Sequence, residues 1–162
     1  MYIFKERVLN GQYGLFAMND EHALQHIQRY FSRQHVFSLF TCHGNDIWPA
    51  SCYYAFDAKS MSLFFMTDPA SRHGQLMTEN PHVAGTVSAQ TKVVSQIQGL
   101  QFIGQVIALD GSLLQQAHQF YCRRFPVALT AKLPVWRLQL QEVKMVNNKL
   151  GFGSKLYWSR NR

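Results

Sequence analysis

Residues 63–87, LFFMTDPASRHGQLMTENPHVAGTV, decide the fold, because they predict a strand, a loop, a short helix and a second strand in succession. The compact apolar run LFFM at 63–66 favours a buried strand. The turn TDPAS contains a proline that fixes the backbone, and it ends in Ser71, a good N-cap for a helix. Residues 72–79 have helical spacing and stop before an Asn-Pro pair, which disfavours further helix. A second strand is therefore predicted at 82–89.

The loop between the first of these strands and the helix carries groups that suit a phosphate. Thr67 and Ser71 offer hydroxyls, and Arg72 offers a positive charge. They lie beside a helix N-terminus, where backbone N–H groups are free and the dipole is positive. On these residues alone, an ordinary joint with a capped helix and a solvated arginine is the simpler interpretation, so support must come from the rest of the chain.

The composition is that of an apolar and aromatic globular chain. Its 162 residues favour one domain with a real core. Hydrophobic residues make up 47% and charged residues 15%, which excludes a disordered chain. Twelve Phe, seven Tyr and three Trp favour a β-rich aromatic core, or apolar surface covered by a partner or ligand. The net charge of +7 favours anionic ligands, such as phosphate esters, nucleotides or nucleic acid, without choosing among them.

The start of the chain and its cysteines bear on the cellular compartment. The first residues lack a continuous apolar segment and a small-residue cleavage site, so we expect no signal peptide. We predict an N-terminal extension at 1–18 and one domain at 19–162. No apolar run approaches the roughly 18 residues of a membrane span. An odd number of cysteines without C-x-x-C spacing argues against disulfides and favours a reducing cytoplasm; they are Cys42, Cys52 and Cys122.

The remaining predicted elements describe a small barrel. In chain order they are a helix at 19–34, strands at 35–42, 47–56 and 93–109, a helix between Asp110 and Pro126, and strands at 135–145 and 150–158. The cleanest period-two pattern is VWRLQLQEVKM at 135–145, with Trp136 on its apolar side. About six strands, mostly linked by hairpins, with three helices predict a closed or partly closed antiparallel barrel.

Proline and glycine mark irregular positions within two of these strands. Pro49 cannot donate to a ladder, so it predicts a strand edge or a bulge. The small residues Ala50 and Ser51 beside it could leave backbone groups facing a ligand; a plain edge strand is the alternative. Gly99 and Gly104 predict bulges or the tight curvature that a small barrel needs.

Two pairs of possible metal ligands lie four residues apart on predicted helices. His22 and His26 lack an H-E-x-x-H pattern and a nearby third ligand, so they indicate a solvated polar face. His118 and Cys122 have no accompanying partners and are interpreted as packing residues. No metal site is predicted.

The order of several sequence strings resembles a known family. HVFSLFTCHGNDIWPASCYYAFD, MSLFFMTDPASRHGQLMTENPHVAGTV and QGLQFIGQVIALDG follow the first helix. They contain a T…S-R-H string between strand and helix, an N-P-x-V-A strand start, and a later strand followed by a helix ending in R-F-P. Over roughly residues 20–158 this order resembles the FMN-binding split-barrel family, typified by pyridoxamine 5′-phosphate oxidase. RRFPVA and LGFGSKLYW are most similar to its YhbP-like bacterial subgroup.

The resemblance implies a mainly β fold with flanking helices, a six-stranded antiparallel Greek-key split β-barrel. It also implies a homodimer with two FMN sites at the subunit interface. Many members have Lys where this chain has His73. A neutral imidazole still donates one hydrogen bond, but the fixed charge is lost, so FMN affinity is expected to be weaker or pH-dependent.

The resemblance also assigns site residues. Those expected to hold the phosphate are Thr67, Ser71, Arg72 and His73. Those expected along the flavin ring are residues 48–52, with backbone groups of Ala50 and Ser51 near the ring edge. The full set of expected cofactor-binding residues is Trp48, Ala50, Ser51, Cys52, Met66, Thr67, Ser71, Arg72, His73, Gln90, Thr91, Lys92 and Trp136. Of these, Trp136, or alternatively Phe152, is expected from the partner subunit. No catalytic residue is assigned.

Three functions are compatible with the sequence. The first is an FMN-dependent oxidoreductase or flavin reductase, in which protein side chains need not react. The second is a flavin-binding or flavin-sensing module without turnover. The third is a basic nucleic-acid-binding barrel, but the lysines and arginines are scattered and no RNP-type motif is present. A deazaflavin or heme is an alternative ligand. The C-terminal R-L-x-P signature of true pyridoxamine phosphate oxidases is absent, since the chain ends KLYWSRNR, so that substrate is not expected.

Overall fold

The computed structural model describes residues 20–161, so the predicted extension at 1–18 lies outside the described residues. The helices are α1 (Asp20–Arg33), α2 (Arg72–Glu79) and α3 (Gly111–Arg124), with short 3-10 helices at Val94–Gln96, Pro126–Thr130 and Asn148–Leu150. The strands are β1 (Val36–His43), β2 (Asp46–Asp57), β3 (Ser62–Met66), β4 (His82–Ser88), β5 (Gln98–Ala108), β6 (Val135–Asn147) and β7 (Lys155–Ser159). None of the described helices is both long and apolar enough to cross a membrane.

The strands form one antiparallel sheet that closes on itself. Its order is β3-β2-β1-β4-β5-β6-β7, and β6 also pairs with β3. Six strands thus make a closed barrel, and β7 is an additional strand beside β6. The chain places β4 beside β1 after the β1-β2-β3 meander, which is a Greek key. The predicted split-barrel fold is confirmed, with seven strands in the described chain instead of about six.

The long strand β6 divides one of its edges between two partners. Along one edge it pairs with β5 throughout. Along the other edge, the segment 135–139 pairs with β3, whereas the segment 142–146 pairs with β7. The barrel is therefore closed only along the first half of β6, and β7 extends the sheet beyond the closure.

Aromatic side chains fill the barrel, as the composition predicts. Phe37, Leu39 and Phe65 are fully or almost fully buried, and the Phe37 and Phe65 rings meet edge to face at 5.4 Å. Helix α1 adds Phe31, whose ring stacks on Phe56 at 4.9 Å and whose carbonyl accepts a hydrogen bond from the Tyr54 hydroxyl. The amphipathic pattern of α1 thus gives a helix with one face in the barrel core.

Helix α3 packs on the outside of the barrel. Its buried residues Tyr121 and Cys122 contact a second cluster that includes Ala55 and Val135 of the sheet. The Cys122 sulfur lies 3.7 Å from the His118 ring, which agrees with a packing role for both. Arg124 donates to the Gln34 carbonyl at 2.7 Å and joins the end of α3 to the end of α1. All three cysteines are free, as predicted.

Two predicted strands begin later than expected, the first because of long-range contacts and the second because of a turn that contains two glycines. The segment 93–97 is not part of β5, because two of its carbonyl groups accept hydrogen bonds from Asn148. The side-chain amide of Asn148 donates to the Val94 carbonyl at 2.7 Å, and the backbone N–H of Asn148 donates to the Ile97 carbonyl at 3.0 Å. The last strand starts at Lys155 and not at residue 150. Gly151 and Gly153 before it have φ of 133° and 74°, which only a turn accommodates.

Pro49 lies on a strand edge and not at a bulge. The register between β1 and β2 is continuous through the Phe40–Pro49 pair. The Tyr54 N–H donates to the His35 carbonyl at 2.9 Å, and antiparallel bonds alternate, so the odd-numbered residues 47–53 turn their backbone groups away from β1. The missing N–H of Pro49 therefore costs no ladder bond. Among the described residues, no strand pairs with this side of segment 46–53.

The predicted irregularity at Gly104 is confirmed. The register between β5 and β6 shifts between Ile103 and Gly104, whereas Gly99 lies in regular pairing. A Cβ at Gly104 would lie 2.5 Å from the Gln139 carbonyl oxygen and 2.9 Å from Leu138 Cδ1. Both neighbours belong to β6, which is paired on both edges there and cannot move aside.

Replacing Gly104 with Ala should therefore lower the free energy of unfolding by about 1–3 kcal/mol, measured by urea denaturation, because the methyl overpacks fixed backbone. The matched control is Gly99→Ala in the same strand, where a Cβ would lie 3.5 Å from its nearest neighbour, the Val87 carbonyl oxygen. This control should change stability little. Equal losses in the two variants would show that the close approach at Gly104 has no energetic effect.

Candidate functional site

The loop before α2 is shaped by hydrogen bonds of its N-cap. Helix α2 has the predicted bounds, and the Ser71 hydroxyl accepts from the Gly74 N–H at 3.2 Å. The same hydroxyl donates to the Asp68 carbonyl at 2.6 Å. A Cβ at Gly74 would collide with that carbonyl oxygen, so only glycine permits the loop to lie this close to the helix. The turn and the helix are thus one tightly built unit.

His73, at the position where many members of the FMN-binding split-barrel family have lysine, lies inside this unit. His73 Nε2 is 2.5 Å from the Thr67 hydroxyl and 3.2 Å from the Ser71 hydroxyl. Burial lowers the pKa of His73 below its ordinary value of 6.5. The neutral ring is therefore favoured near pH 7, and three of the four predicted phosphate residues contact one another directly.

The fourth, Arg72, contacts β2 through its side chain. Its guanidinium forms an ion pair with Asp46 and lies 4.2 Å from the centre of the Trp48 ring. The Arg72 side chain is 50% exposed and that of Asp46 is 45% exposed. Asp46 and Trp48 are two apart on β2, so both project from the same face of the strand. The predicted residues Arg72 and Trp48 are thus brought together.

The edge of β2 that faces away from β1 is the second part of the site. Because backbone direction alternates, Ser51 turns its N–H and C=O to the open edge, whereas Ala50 turns its own toward β1. Of the two residues expected near the ring edge, Ser51 alone thus presents backbone groups at the open edge of this chain. The Cys52 side chain is buried in the barrel, and burial raises its thiol pKa to about 11.

Two of the predicted residues lie in the sheet next to the loop. Met66 is the last residue of β3 and is half-buried opposite Val135. Trp136 follows Val135 on β6, is 8% exposed, and donates from its indole N–H to the Thr67 carbonyl at 3.3 Å. In the single chain, Trp136 thus contacts the loop of its own chain, and the approach from a partner subunit that the resemblance implies stays a prediction.

The other predicted residues lie far from the loop within one chain. Gln90, Thr91 and Lys92 are exposed and follow β4, at the end opposite to α2. Phe152, which is 86% exposed, lies in the turn before β7 at that same end of the barrel. A contribution from either group to the loop would require a second copy of the chain and stays a prediction.

Asp46 is the site residue that the sequence did not predict. Its pairing with Arg72 joins positions 26 apart. An Asp in a hairpin turn is an ordinary turn residue, so no local signal distinguishes it. Within residues 20–161, no three His, Cys, Asp or Glu side chains come close enough together to hold a metal ion.

Comparison with solved structures defines the class of fold. The chain superposes on a heme binding protein from Mycobacterium smegmatis with a TM-score of 0.72 and 17% identity, covering 85% of this chain and 57% of that one. It superposes on an FAD-binding protein from Mesorhizobium loti with a TM-score of 0.65 and 15% identity, covering 75% and 91%. At these identities the likeness shows the fold alone, that of the split barrels.

Sequence relatives define the family. No protein-family model matches the chain. It is 48% identical over 143 residues to a UPF0306 protein of Photorhabdus laumondii, covering 88% of this chain and 100% of that protein. The chain therefore belongs to the UPF0306 family. The expected FMN specificity and the YhbP-like assignment stay predictions.

The lowered pKa of His73 predicts a titration midpoint below pH 6.5, measured by NMR on the imidazole signal that disappears in His73→Gln. Because the folded protein binds this proton less tightly than the unfolded chain, the stability contributed is complete above pH 6.5. It is lost as pH falls through the folded pKa. A midpoint at or above 6.5 would contradict the inferred burial.

Proposed function

We propose that the chain binds flavin mononucleotide, with its phosphate at the loop of Thr67, Ser71, Arg72 and His73. The observation that carries this proposal is the half-exposed Arg72 at the first position of α2, which follows a loop with two hydroxyl side chains and contacts the first part of β2. The structural neighbours include a heme binding protein and an FAD-binding protein, which supports a cofactor role for this chain.

The donors of the loop suit a phosphate ester. Arginine presents five N–H donors in a rigid fork, and the contact with Asp46 engages only Nη2. The start of α2 adds backbone N–H groups and the positive end of the helix dipole. His73, neutral by burial, can donate one hydrogen bond but contributes no charge. The charge of Arg72 therefore carries most of the electrostatic attraction that we propose.

The open edge of β2 suits the polar edge of a flat heterocycle. Ser51 presents an N–H and a C=O there, and its small side chain leaves the strand accessible. The neighbouring Tyr53 is 59% exposed and faces the same way. These groups would orient the ring by complementary hydrogen bonds, while the loop holds the phosphate.

A second copy of the chain would complete the site. A groove of about 690 Å³ crosses β1, β4, β5, β6 and β7, and its lining includes the exposed apolar residues Phe40, Ile103 and Tyr157. Exposed apolar surface of this kind is typical of an interface. We propose that a homodimer covers it, which would allow residues 90–92 and Phe152 of one subunit to approach the loop of the other.

The redox chemistry would belong to the cofactor, which transfers hydride when bound. The chain's own residues would bind the phosphate, orient the ring and exclude water from it. We propose an oxidoreductase or flavin reductase on this basis. Measurement of NADH and NADPH oxidation by the loaded protein separates this function from a carrier, which shows no turnover.

Replacing Arg72 with Ala should weaken FMN binding by about tenfold or more, because it removes charge-assisted hydrogen bonds to phosphate. Riboflavin, which lacks the phosphate, should bind both proteins equally in a fluorescence titration. Arg29→Ala removes an exposed arginine on α1 and is the matched control. Equal FMN affinity in all three proteins would place the phosphate elsewhere, and an absorbance spectrum of heme in purified protein would contradict the flavin assignment.

Replacing Ile103 with Glu should convert the dimer to monomers in light scattering after size exclusion, because a charge would be buried in the groove. Ile103 is 45% exposed in one chain. The control is Val127→Glu, since Val127 is 82% exposed and lies outside the groove. A wild-type monomer, or loss of the dimer in the control alone, would refute this interface.

A further inference from the structure

The arginine of the candidate phosphate loop is already paired with a carboxylate. Its pairing with Asp46 is the one ion pair that the structure contains between residues 20 and 161. The whole chain has 16 Lys and Arg but only 9 Asp and Glu, so at least seven of its cations have no carboxylate to pair with. That the single ion pair should involve Arg72 is therefore informative about the loop.

The geometry of this pair holds the guanidinium against β2. Asp46 is the first residue of β2 and directly follows the hairpin turn, which holds its carboxylate in place. Trp48 on the same strand lies beneath the guanidinium at 4.2 Å, a cation–π contact. Two side chains of one strand thus hold the guanidinium of Arg72 at β2.

Asp46 offers Arg72 the same chemistry as a phosphate, an oxygen anion facing an N–H donor. A phosphate that binds Arg72 must displace this carboxylate or accept its repulsion at close range. Because both side chains are about half-exposed, the pair is stabilised only weakly and can be broken by a ligand that makes other contacts. A small free anion has no such contacts.

We propose that Asp46 is an internal anion that competes with phosphate for Arg72, so that the loop binds free inorganic anions weakly and holds a phosphate ester through that ester's further contacts. This inference rests on the proposed function. An ester that also contacts the edge of β2 compensates for the displacement of Asp46, whereas inorganic phosphate does not. The competition lowers the affinity of every phosphate group alike, and the additional contacts of the ester decide which ligand stays bound.

The test is Asp46→Asn, which keeps the shape of the side chain and removes its charge. The variant should bind inorganic phosphate and FMN about two- to fivefold more tightly, the range expected for an exposed ion pair, and riboflavin equally. Calorimetric titration of the purified full chain with each ligand measures these affinities. The matched control is Glu79→Gln, an equal change of charge at the exposed last residue of α2, which should change none of them.

The double variant Asp46→Asn with Arg72→Ala tests whether the effect passes through Arg72. In the Arg72→Ala background, removing Asp46 should no longer strengthen phosphate binding. A gain that persists would mean that Asp46 acts only through general charge, and the inference would fail. Weaker FMN binding by Asp46→Asn would also overturn it, since Asp46 would then orient Arg72 for the ligand.

These measurements separate this inference from the proposed function. If wild type binds FMN but Asp46→Asn binds it no better, the flavin proposal stands and the role of Asp46 is refuted. If Asp46→Asn gains binding of inorganic phosphate while neither protein binds FMN, the role of Asp46 stands and the flavin proposal falls. If neither protein binds phosphate or FMN, both are refuted.

Discussion

The pairing of β3 with the first half of β6 is the interaction on which the candidate site depends. It closes the barrel, and it ends at Met66 opposite Val135, where the chain leaves the sheet. Thr67 follows Met66 and Trp136 follows Val135, and these two residues are joined by a hydrogen bond from the Trp136 indole to the Thr67 carbonyl. Since β3 has only five residues, it pairs with the second part of β2 and leaves the first part open. One short pairing thus sets both the position of the loop and the length of the free edge.

The elements that sequence predicts well are those whose signals are local. Ser71 and the Asn80-Pro81 pair bound α2 because a cap and a proline act within a few residues of themselves. The start of β5 could not be predicted in this way. Asn148 draws the carbonyls of Val94 and Ile97 across from a distant segment, and no pattern within residues 93–97 indicates that contact. Tertiary hydrogen bonds overrode an apolar run that otherwise favours a strand.

The same distinction divides the candidate site. The string from Thr67 to His73 is continuous in sequence, so a family resemblance finds its members together, and the structure adds how they contact one another. Asp46 enters only because the β1–β2 hairpin folds back onto α2, a contact that no spacing rule describes. The sequence also could not predict which backbone groups face the open edge of β2. The register of β1 against β2 determines that those of Ser51 face outward and those of Ala50 do not.

An exposed strand edge carries a risk, because its free N–H and C=O groups can recruit strands of other molecules and start aggregation. Pro49 stands near the middle of the open segment of β2, with its missing N–H on the outward side. A strand of another molecule that paired with this edge would lack the hydrogen bond at Pro49, and the pyrrolidine ring would obstruct its approach. Pro49 therefore leaves the edge open to a small, flat ligand and at the same time opposes extension of the sheet by another strand.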